Sequence, residues 1–379
     1  MRIAIVTDQC APIYVGGHET YLWDFARRLA AAGHDVDVYT SVNQAQTIDG
    51  VRFLPIMKAV NFFRPSGFRN LRLSILWTLR LWGLIARPNR YDAVAVAAPP
   101  WIHLPLTFLL ARRWKARYYV ILHEALSRAL FSYFQAKGTP FPRLQAWLAQ
   151  RYYLLGQGLA DVLISSTPSC VESLRAEGFR QPIRVAIAGQ DLTPRERIDF
   201  SSDRPPEIAF TGRLIQNKRI PTLLRAVKGL AVVTNIVGDG PIAPELRAEA
   251  QREGLDNVVF HGRASEDRKR EILLRSSIFV MPSYREGWSL ATVEAMAHGL
   301  VPVYAYVPER YETGITSYAR EGENAFAFNG SSEDLRAKLE LLIADRARLR
   351  RMREAAYETA GAYQWPAMLA NLEKILSET

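Results

Sequence analysis

The chain enters at once on a short apolar run, "RIAIV" at residues 2–6, with no polar alternation inside it. Such a run predicts a strand covered on both faces. "ETYLWDFARRLAAAG" follows at 19–33, where Tyr21, Leu22, Phe25 and Leu29 recur at helical spacing and Gly33 ends the pattern. "HDVDVYT" at 34–40 reads as the next strand. Strand, helix and strand in that order imply a parallel sheet with crossover helices. The alternation resumes in "YDAVAVAA" (91–98), "ARYYVILHE" (116–124) and "ADVLISST" (160–167).

Between Leu192 and Pro206 the texture changes. "LTPRERIDFSSDRPP" is charged, rich in proline and without apolar periodicity, so it is expected to link two domains. The alternation then restarts with "EIAFTG" (207–212), "IPTLLRAVKGL" (220–230), "AVVTNIVGDG" (231–240) and "APELRAEAQREG" (243–254). "NVVFHG", "SIFVMPS" and "LVPVYAY" supply three further strands. The expected class is therefore α/β, with two Rossmann-like doubly wound domains, 1–191 and 207–360, joined by 192–206 and followed by a terminal segment, 361–379. In such folds ligands bind at the carboxyl ends of the strands, here expected to face a cleft.

Length supports the division, because 379 residues exceed one ordinary core. A composition of 49% hydrophobic and 23% charged residues is ordinary for a soluble globular protein. Cys10 and Cys170 stand far apart with no paired-cysteine motif, which argues against a disulfide framework or a cysteine zinc site and fits a reducing cytosol. No apolar segment with a cleavage site precedes the first strand, so a secretory leader is not expected. Residues 93–111 hold no Asp, Glu, Lys or Arg, but Pro99, Pro100, His103 and Pro105 interrupt them. A buried strand, a turn and a helix explain the stretch better than a membrane span.

Charge changes the picture. The net charge is +10, yet residues 51–150 carry 15 Lys and Arg against 2 Asp and Glu. A region so basic calls for an anionic partner. Within it, residues 62–90 interleave Arg64, Arg69, Arg72, Arg80 and Arg87 with Phe62, Phe63, Phe68, Trp77 and Trp82. That pattern suits peripheral contact between residues 58–90 and an anionic membrane. Leu73, Trp77, Leu81 and Leu84 also make an ordinary core-facing stripe. No nucleic-acid-binding module is evident.

The candidate chemistry gathers where strands end. Arg213 and Lys218 follow the strand at 207–212, and two cations there suit a diphosphate, one gripping oxygens in pairs and the other adding a point charge. Gly16 and Gly17 precede a helix, where bare backbone N–H groups can receive an anion. His123 ends a strand beside Glu124. Gly238, Gly240 and Ala243 fit G-x-G-x-x-A, but the acidic residue that fingerprint expects at the end of the next strand is replaced by His261. That turn is read as mainly structural.

"REGWSLATVEAMAHGLVPV" at 285–303 holds Glu286 on a loop and Glu294 inside a helix expected to begin at Leu290, capped by Ser289 and ended at Gly299. A carboxylate can accept both hydroxyls of a ribose, and a second can accept those of a sugar.

Taken in order, "GGHETYLWDFARRLAAAGHDVDVYT", "ADVLISSTPS", "GRLIQNK", "VGDGP", "VVFHG", "PSYREGWSLATVEAMAHGLVPV" and "YQWPAMLANLEKIL" resemble glycosyltransferase family 4, retaining enzymes of GT-B fold. The resemblance runs nearly end to end and includes the family's Glu-x7-Glu signature. It implies an acceptor-binding first domain, a nucleotide-sugar-binding second domain and a terminal helix crossing back to the first. It further implies that Arg213 and Lys218, with Gly16 and Gly17, meet the donor diphosphate, and that Glu294 takes the ribose. Glu286 and His123 would sit at the reacting sugar, with Gly287, Trp288, Ser289 and Leu290 as donor loop and Gly238 and Gly240 beside the nucleotide. No metal or other cofactor is expected beyond the nucleoside-diphosphate sugar itself.

Two positions depart from the family pattern. Arg219 stands where a glycine usually follows the lysine, and Ser289 where a glycine is common. The expected activity is hexosyl transfer to an acceptor glycan or lipid-linked sugar of envelope polysaccharide or glycolipid assembly, in the cytoplasm or on the inner face of its membrane, without nucleic acid. Two rivals stand beside it: an NAD(P)-dependent oxidoreductase using the 238–243 turn, and a non-catalytic sugar-nucleotide-binding scaffold.

Overall fold

The opening run forms strand β1 (Arg2–Val6), whose last four side chains are buried. In this computed structural model the described residues are 1–14, 17–62, 70–98, 101–122, 141–201, 204–308 and 312–378. The chain divides into two units, Met1–Ala188 with Met368–Thr379, and Gly189–Ala367.

In the first unit β1 leads into α1 (Gly17–Ala31), β2 (Asp35–Ser41), β3 (Gln46–Ile48) and β4 (Val51–Met57). After α2 (Leu71–Arg80) and α3 (Trp82–Ile85) come β5 (Ala93–Ala98), α4 (Leu104–Arg113) and β6 (Arg117–Leu122). The unit continues with α5 (Pro142–Gly158), β7 (Val162–Ser165), α6 (Pro168–Ala176) and β8 (Ile183–Val185). The sheet runs β3-β4-β2-β1-β5-β6-β7-β8, parallel except for the β3–β4 pair. Every residue of β5 is buried, so the uncharged stretch at 93–111 is a core strand followed by α4. Pro99 and Pro100 lie outside the described residues, among which no helix is long and apolar enough to cross a membrane. Cys10 and Cys170 are buried free thiols.

The basic segment has a core-facing stripe and an exposed face. Phe62, Trp77 and Leu81 are fully buried and Leu84 nearly so, whereas Leu71, Leu79 and Trp82 are each more than half exposed. Phe63, Arg64, Phe68 and Arg69 lie outside the described residues.

The second unit contains β9 (Ile208–Thr211), α7 (Ile220–Val227), β10 (Thr234–Val237), α8 (Ala243–Arg252), β11 (Val258–Gly262) and α9 (Glu266–Arg275). There follow β12 (Ile278–Met281), the short β13 (Arg285–Glu286), α10 (Leu290–Ala297) and β14 (Val301–Ala305). After β15 (Glu312–Thr313) and β16 (Phe326–Phe328) come α11 (Ser332–Ala344) and α12 (Arg346–Gly361). Its main sheet is parallel throughout, in the order β11-β10-β9-β12-β14-β16.

The segment 192–206, expected as a linker, lies within this unit, where local contacts hold it. Tyr357 donates to the Thr193 carbonyl at 3.0 Å, and Ile198 is buried. Arg353 of α12 is buried and donates to the carbonyls of Gly299 (2.8 Å) and Asp199 (3.1 Å), with its guanidinium 5.3 Å over the Phe200 ring. Burial pushes its pKa down to about 10, still high enough to keep the charge at neutral pH. Arg353→Leu would strand two carbonyls, so we expect a loss of roughly 2–4 kcal/mol, read by denaturant unfolding of the full chain.

The last helix, α13 (Trp365–Ser377), returns to the first unit from Met368 onward. There Asn371 donates to the Val185 carbonyl at 2.7 Å, Tyr119 to the Leu376 carbonyl at 3.2 Å, and Arg184 pairs with Glu378 at 2.8 Å.

Candidate functional site

Each sheet has one point where the strand order reverses. In the second unit the chain winds from β9 outward to β10 and β11, then returns to β12 on the other side of β9. The crevice at the carboxyl ends of β9 and β12 is where a parallel sheet of this kind takes a ligand.

Lys218 and Glu286 meet there. Lys218 closes a single helical turn after β9, and Glu286 stands on β13 in the loop after β12. The Lys218 Nζ lies 2.5 Å from Glu286 Oε1, with the side chains only 17% and 11% exposed. Burial of that degree makes a solvated surface pair untenable as a description. Several contacts hold the pair in place. Asn217 donates to the Arg285 carbonyl at 3.1 Å, and the Tyr284 N–H donates to Asn217 O at 3.2 Å. The Arg285–Glu286 strand pairs in parallel with Glu312–Thr313. Arg213, on the same loop as Lys218, is exposed.

The two departures from the family pattern explain themselves in backbone terms. Arg219 has φ +49° and Ser289 φ +58°, both in the left-handed region that favours glycine. Arg219 is held by a bond to the Gly330 carbonyl at 2.7 Å and by stacking 4.3 Å over Tyr284. Ser289 does precede the helix at Leu290, but its hydroxyl pairs with that of Thr292 at 2.7 Å and caps no backbone N–H. The expected capping bond is therefore corrected: the left-handed backbone turns the side chain away from the helix amides. Gly299, at φ +75°, ends the helix as expected.

Trp288 beside it is buried against Tyr318 and Tyr363, with ring centroids at 4.7 and 5.0 Å, and Tyr318 donates to the Trp288 carbonyl at 3.0 Å. The Gly287 carbonyl accepts from the Gly314 N–H at 2.8 Å. The segment from Gly287 to Leu290 is thus fastened from behind.

Glu294 lies on the first turns of α10, 23% exposed, and its Oε1 is 2.7 Å from Lys269 Nζ of α9. Lys269 also reaches Glu266 at 2.7 Å. Burial works against the Lys269 charge, but the two carboxylates outweigh it and raise its pKa. Sequence reading missed Lys269. It is one of five charged residues in "EDRKR", and nothing in that run singles it out. A carboxylate offers about four lone-pair directions, so a single lysine leaves capacity for hydroxyls. His298, one helical turn on, has its pKa lowered by burial, and its Nδ1 lies 2.8 Å from the Glu294 carbonyl.

Gly238 and Gly240 have a packing reason to be glycine. A Cβ on Gly238 would sit 1.8 Å from the Gly212 carbonyl oxygen, and one on Gly240 2.2 Å from that of Leu214. The loops after β9 and β10 touch backbone to backbone, with Leu214 N–H bonded to Asp239 O at 3.0 Å. This supports the structural reading of the turn.

In the first unit the strand order reverses between β1 and β5, and α1 begins at Gly17 just beyond β1. A Cβ on Gly17 would meet nothing within 4 Å, so that glycine leaves open space and fills no packing role. Gly16, His123 and Glu124 lie outside the described residues.

Comparison with known proteins gives the family and the fold. Residues 194–359 match the family model for glycosyl transferases group 1, and residues 16–189 match that for a glycosyl transferase 4-like domain. The D-inositol 3-phosphate glycosyltransferase of Streptomyces bingchenggensis is 24% identical over all of this chain and 89% of its own length. The sulfoquinovosyl transferase of Arabidopsis thaliana is 25% identical over 97% of this chain and 71% of its own. Among solved structures, sucrose-phosphate synthase from Thermosynechococcus elongatus superposes with a TM-score of 0.78 at 17% identity, covering 99% of this chain and 98% of that one. Anabaena HepE in complex with UDP and glucose gives 0.73 at 16% identity, with all of both chains covered.

Proposed function

Because this chain belongs to glycosyltransferase family 4 and has the GT-B fold, we propose that it moves a hexose-type sugar from a nucleoside diphosphate to an acceptor hydroxyl, with retention of configuration. The observation that carries this reading is the largely buried Lys218–Glu286 pair at the strand-order reversal, flanked by Arg213 on the same loop. Two cations beside a carboxylate suit a sugar diphosphate, with the phosphates on Lys218 and Arg213 and the sugar hydroxyls on Glu286.

In this reading the bond between the anomeric carbon and the phosphate oxygen breaks as the acceptor oxygen bonds to the same face. The acceptor proton passes to the departing phosphate. Lys218 and Arg213 stabilise the charge growing on that phosphate, the role a divalent ion has elsewhere, so no metal is required. The family resemblance adds Gly16 and Gly17 to the diphosphate contacts and His123 to the reacting sugar. In the same reading Gly287, Trp288, Ser289 and Leu290 line the donor, and Gly238 and Gly240 lie beside the nucleotide.

Glu294 takes the ribose with the lone pairs that Lys269 leaves open. Glu294→Ala is expected to raise KM for the donor about tenfold or more while kcat changes less, because two charge-assisted hydrogen bonds to bound nucleotide are lost. Steady-state kinetics over a donor series, with nucleotide titration by calorimetry, would show it. UDP-glucose is the first donor to test, given the ligand of the Anabaena neighbour. An unchanged KM would remove Glu294 from the ribose. Turnover that persists in a chelator would support the metal-free reading, and its loss would reject it.

The acceptor is proposed to be a lipid-linked sugar or glycolipid precursor of the cell envelope, met at the inner face of the cytoplasmic membrane. The basic first unit supports it: an anionic lipid phosphate would balance the excess of arginine and lysine in residues 51–150.

A further inference from the structure

Among the described residues seventeen large hydrophobic side chains are exposed, and eleven of them fall in two segments of the first unit, 71–82 and 141–155. Scattered exposed apolar residues need no explanation, but such a concentration does. Leu79 and Trp82 are 56% and 55% exposed on α2 and α3; Leu144, Trp147 and Leu155 are 57%, 52% and 61% exposed on α5. These helices already bury one face each, through Trp77 and Leu81 in the first segment and Tyr153 in the second. The opposite face of a helix packed in this way is ordinarily polar.

Both segments are anchored to one turn. The Trp77 ring meets His103 edge-on at 5.2 Å, and Tyr152 of α5 donates to the Ile102 carbonyl at 2.7 Å. Gly156 lets α5 close on the start of α4, where an added Cβ would come within 3.1 Å of the Leu104 side chain. The two segments thus share one anchor in the first unit.

The charge on these faces has one sign. Residues 58–91 and 141–160 contain no Asp or Glu, while Arg72, Arg80, Arg143 and Arg151 are exposed among the apolar side chains. The Arg151 guanidinium lies 5.6 Å over the Trp147 ring, so cation and aromatic body are presented together. That pairing suits the boundary between headgroups and acyl chains, where apolar bodies sink and cations meet phosphate.

We propose that α2, α3 and α5 form one docking face for the surface of a bilayer containing anionic lipid, lying in the headgroup layer without spanning it. A second copy of the chain fits the face poorly, because arginines would oppose arginines with no carboxylate in either segment. Lipid phosphate supplies the missing charge. The inference rests on this surface alone and draws on the proposed function only for its purpose, which is to bring the enzyme to a lipid-carried acceptor.

The test is flotation of the full-length protein with phosphatidylcholine vesicles, with and without phosphatidylglycerol. Binding to the anionic vesicles should be about tenfold or more tighter and should weaken as salt rises. The double variant Trp147→Glu, Leu155→Glu should lose that binding, and Arg143→Ala or Arg151→Ala should each weaken it about fivefold. All four side chains are exposed, so thermal melting and turnover of a water-soluble acceptor should stay at the level of the parent protein. Equal binding to both kinds of vesicle, or full binding by the double Glu variant, would overturn the proposal. So would a dimer in sedimentation that the double variant abolishes, since the face would then belong to a second copy. Vesicle binding without any sugar-nucleotide turnover would instead reject the proposed function and leave this face standing.

Discussion

Lys218→Ala is expected to lower kcat/KM for sugar transfer by about 10²–10³, the range found when one preorganised charge partner is removed from a transition state. The size follows from burial. With Lys218 Nζ 2.5 Å from Glu286 and both side chains largely withdrawn from water, the alanine variant would leave a carboxylate unpaired at the proposed diphosphate site. Attraction for the donor would become repulsion.

A structural role for the lysine makes a different prediction. If Lys218 only balances Glu286, the double variant Lys218→Ala, Glu286→Gln should recover donor binding, because the charge needing balance is gone. If Lys218 grips the diphosphate, the double variant should bind donor well below Glu286→Gln alone, because relief of the carboxylate's repulsion does not restore the lost cation. This cycle, read by calorimetry with nucleotide diphosphate and by steady-state rates, separates the two accounts. Recovery in the double variant would defeat the assignment of the cation to phosphate.

Gly238→Ala is expected to cost more than about 4 kcal/mol of stability, or to prevent folding of the second unit altogether. Two causes add. The residue has φ +138°, and its Cβ would lie 1.8 Å from the Gly212 carbonyl oxygen, a backbone atom with no side-chain freedom to yield. Gly254 provides the comparison. It has φ +62° with nothing within 4 Å of an added Cβ, so Gly254→Ala should cost only about 1 kcal/mol from backbone strain. Denaturant unfolding of the two variants measures the contrast. Similar losses in both would show that the loops after β9 and β10 part without cost, and their close approach would then carry no weight.

The same glycine pair shows where sequence reading reached its end. G-x-G-x-x-A after a strand is equally a dinucleotide fingerprint and a tight turn, and His261 at the end of the next strand was the single hint against the fingerprint. What the tertiary structure adds is Gly212–Leu214, more than twenty residues upstream, whose carbonyls press against both glycines and give each a packing reason. Family membership then sets the oxidoreductase reading aside. Lys269 tells the same story. Its neighbours in "EDRKR" share its charge or balance it, and only the fold, which sets Lys269 of α9 2.7 Å from Glu294 of α10, selects it as that residue's partner. The capping bond expected of Ser289 failed for a local reason that sequence does not carry, a left-handed φ at a residue that is not glycine.

The basic segment was legible as two readings, core stripe and surface. Trp77 with Leu81 took the first, and Leu79 with Trp82 the second. Helix α5 drew no notice in the sequence, because its apolar residues look like any core-facing pattern until burial is assigned.

By itself, the order of apolar and polar positions determined the strands, the helices between them and the parallel sheets, while the family came from the resemblance of the ordered motifs that include the Glu-x7-Glu run. The elements rest on continuous apolar runs, on the 3.6-residue helical period and on turn chemistry, all readable within a dozen residues. Tertiary structure alone decided which charges meet. Lys218 and Glu286 are 68 residues apart and Lys269 and Glu294 25, and no local rule couples residues so distant. Only the winding of the sheet about β9, which returns the chain beside its own starting strand, brings the first of these pairs within reach of one another.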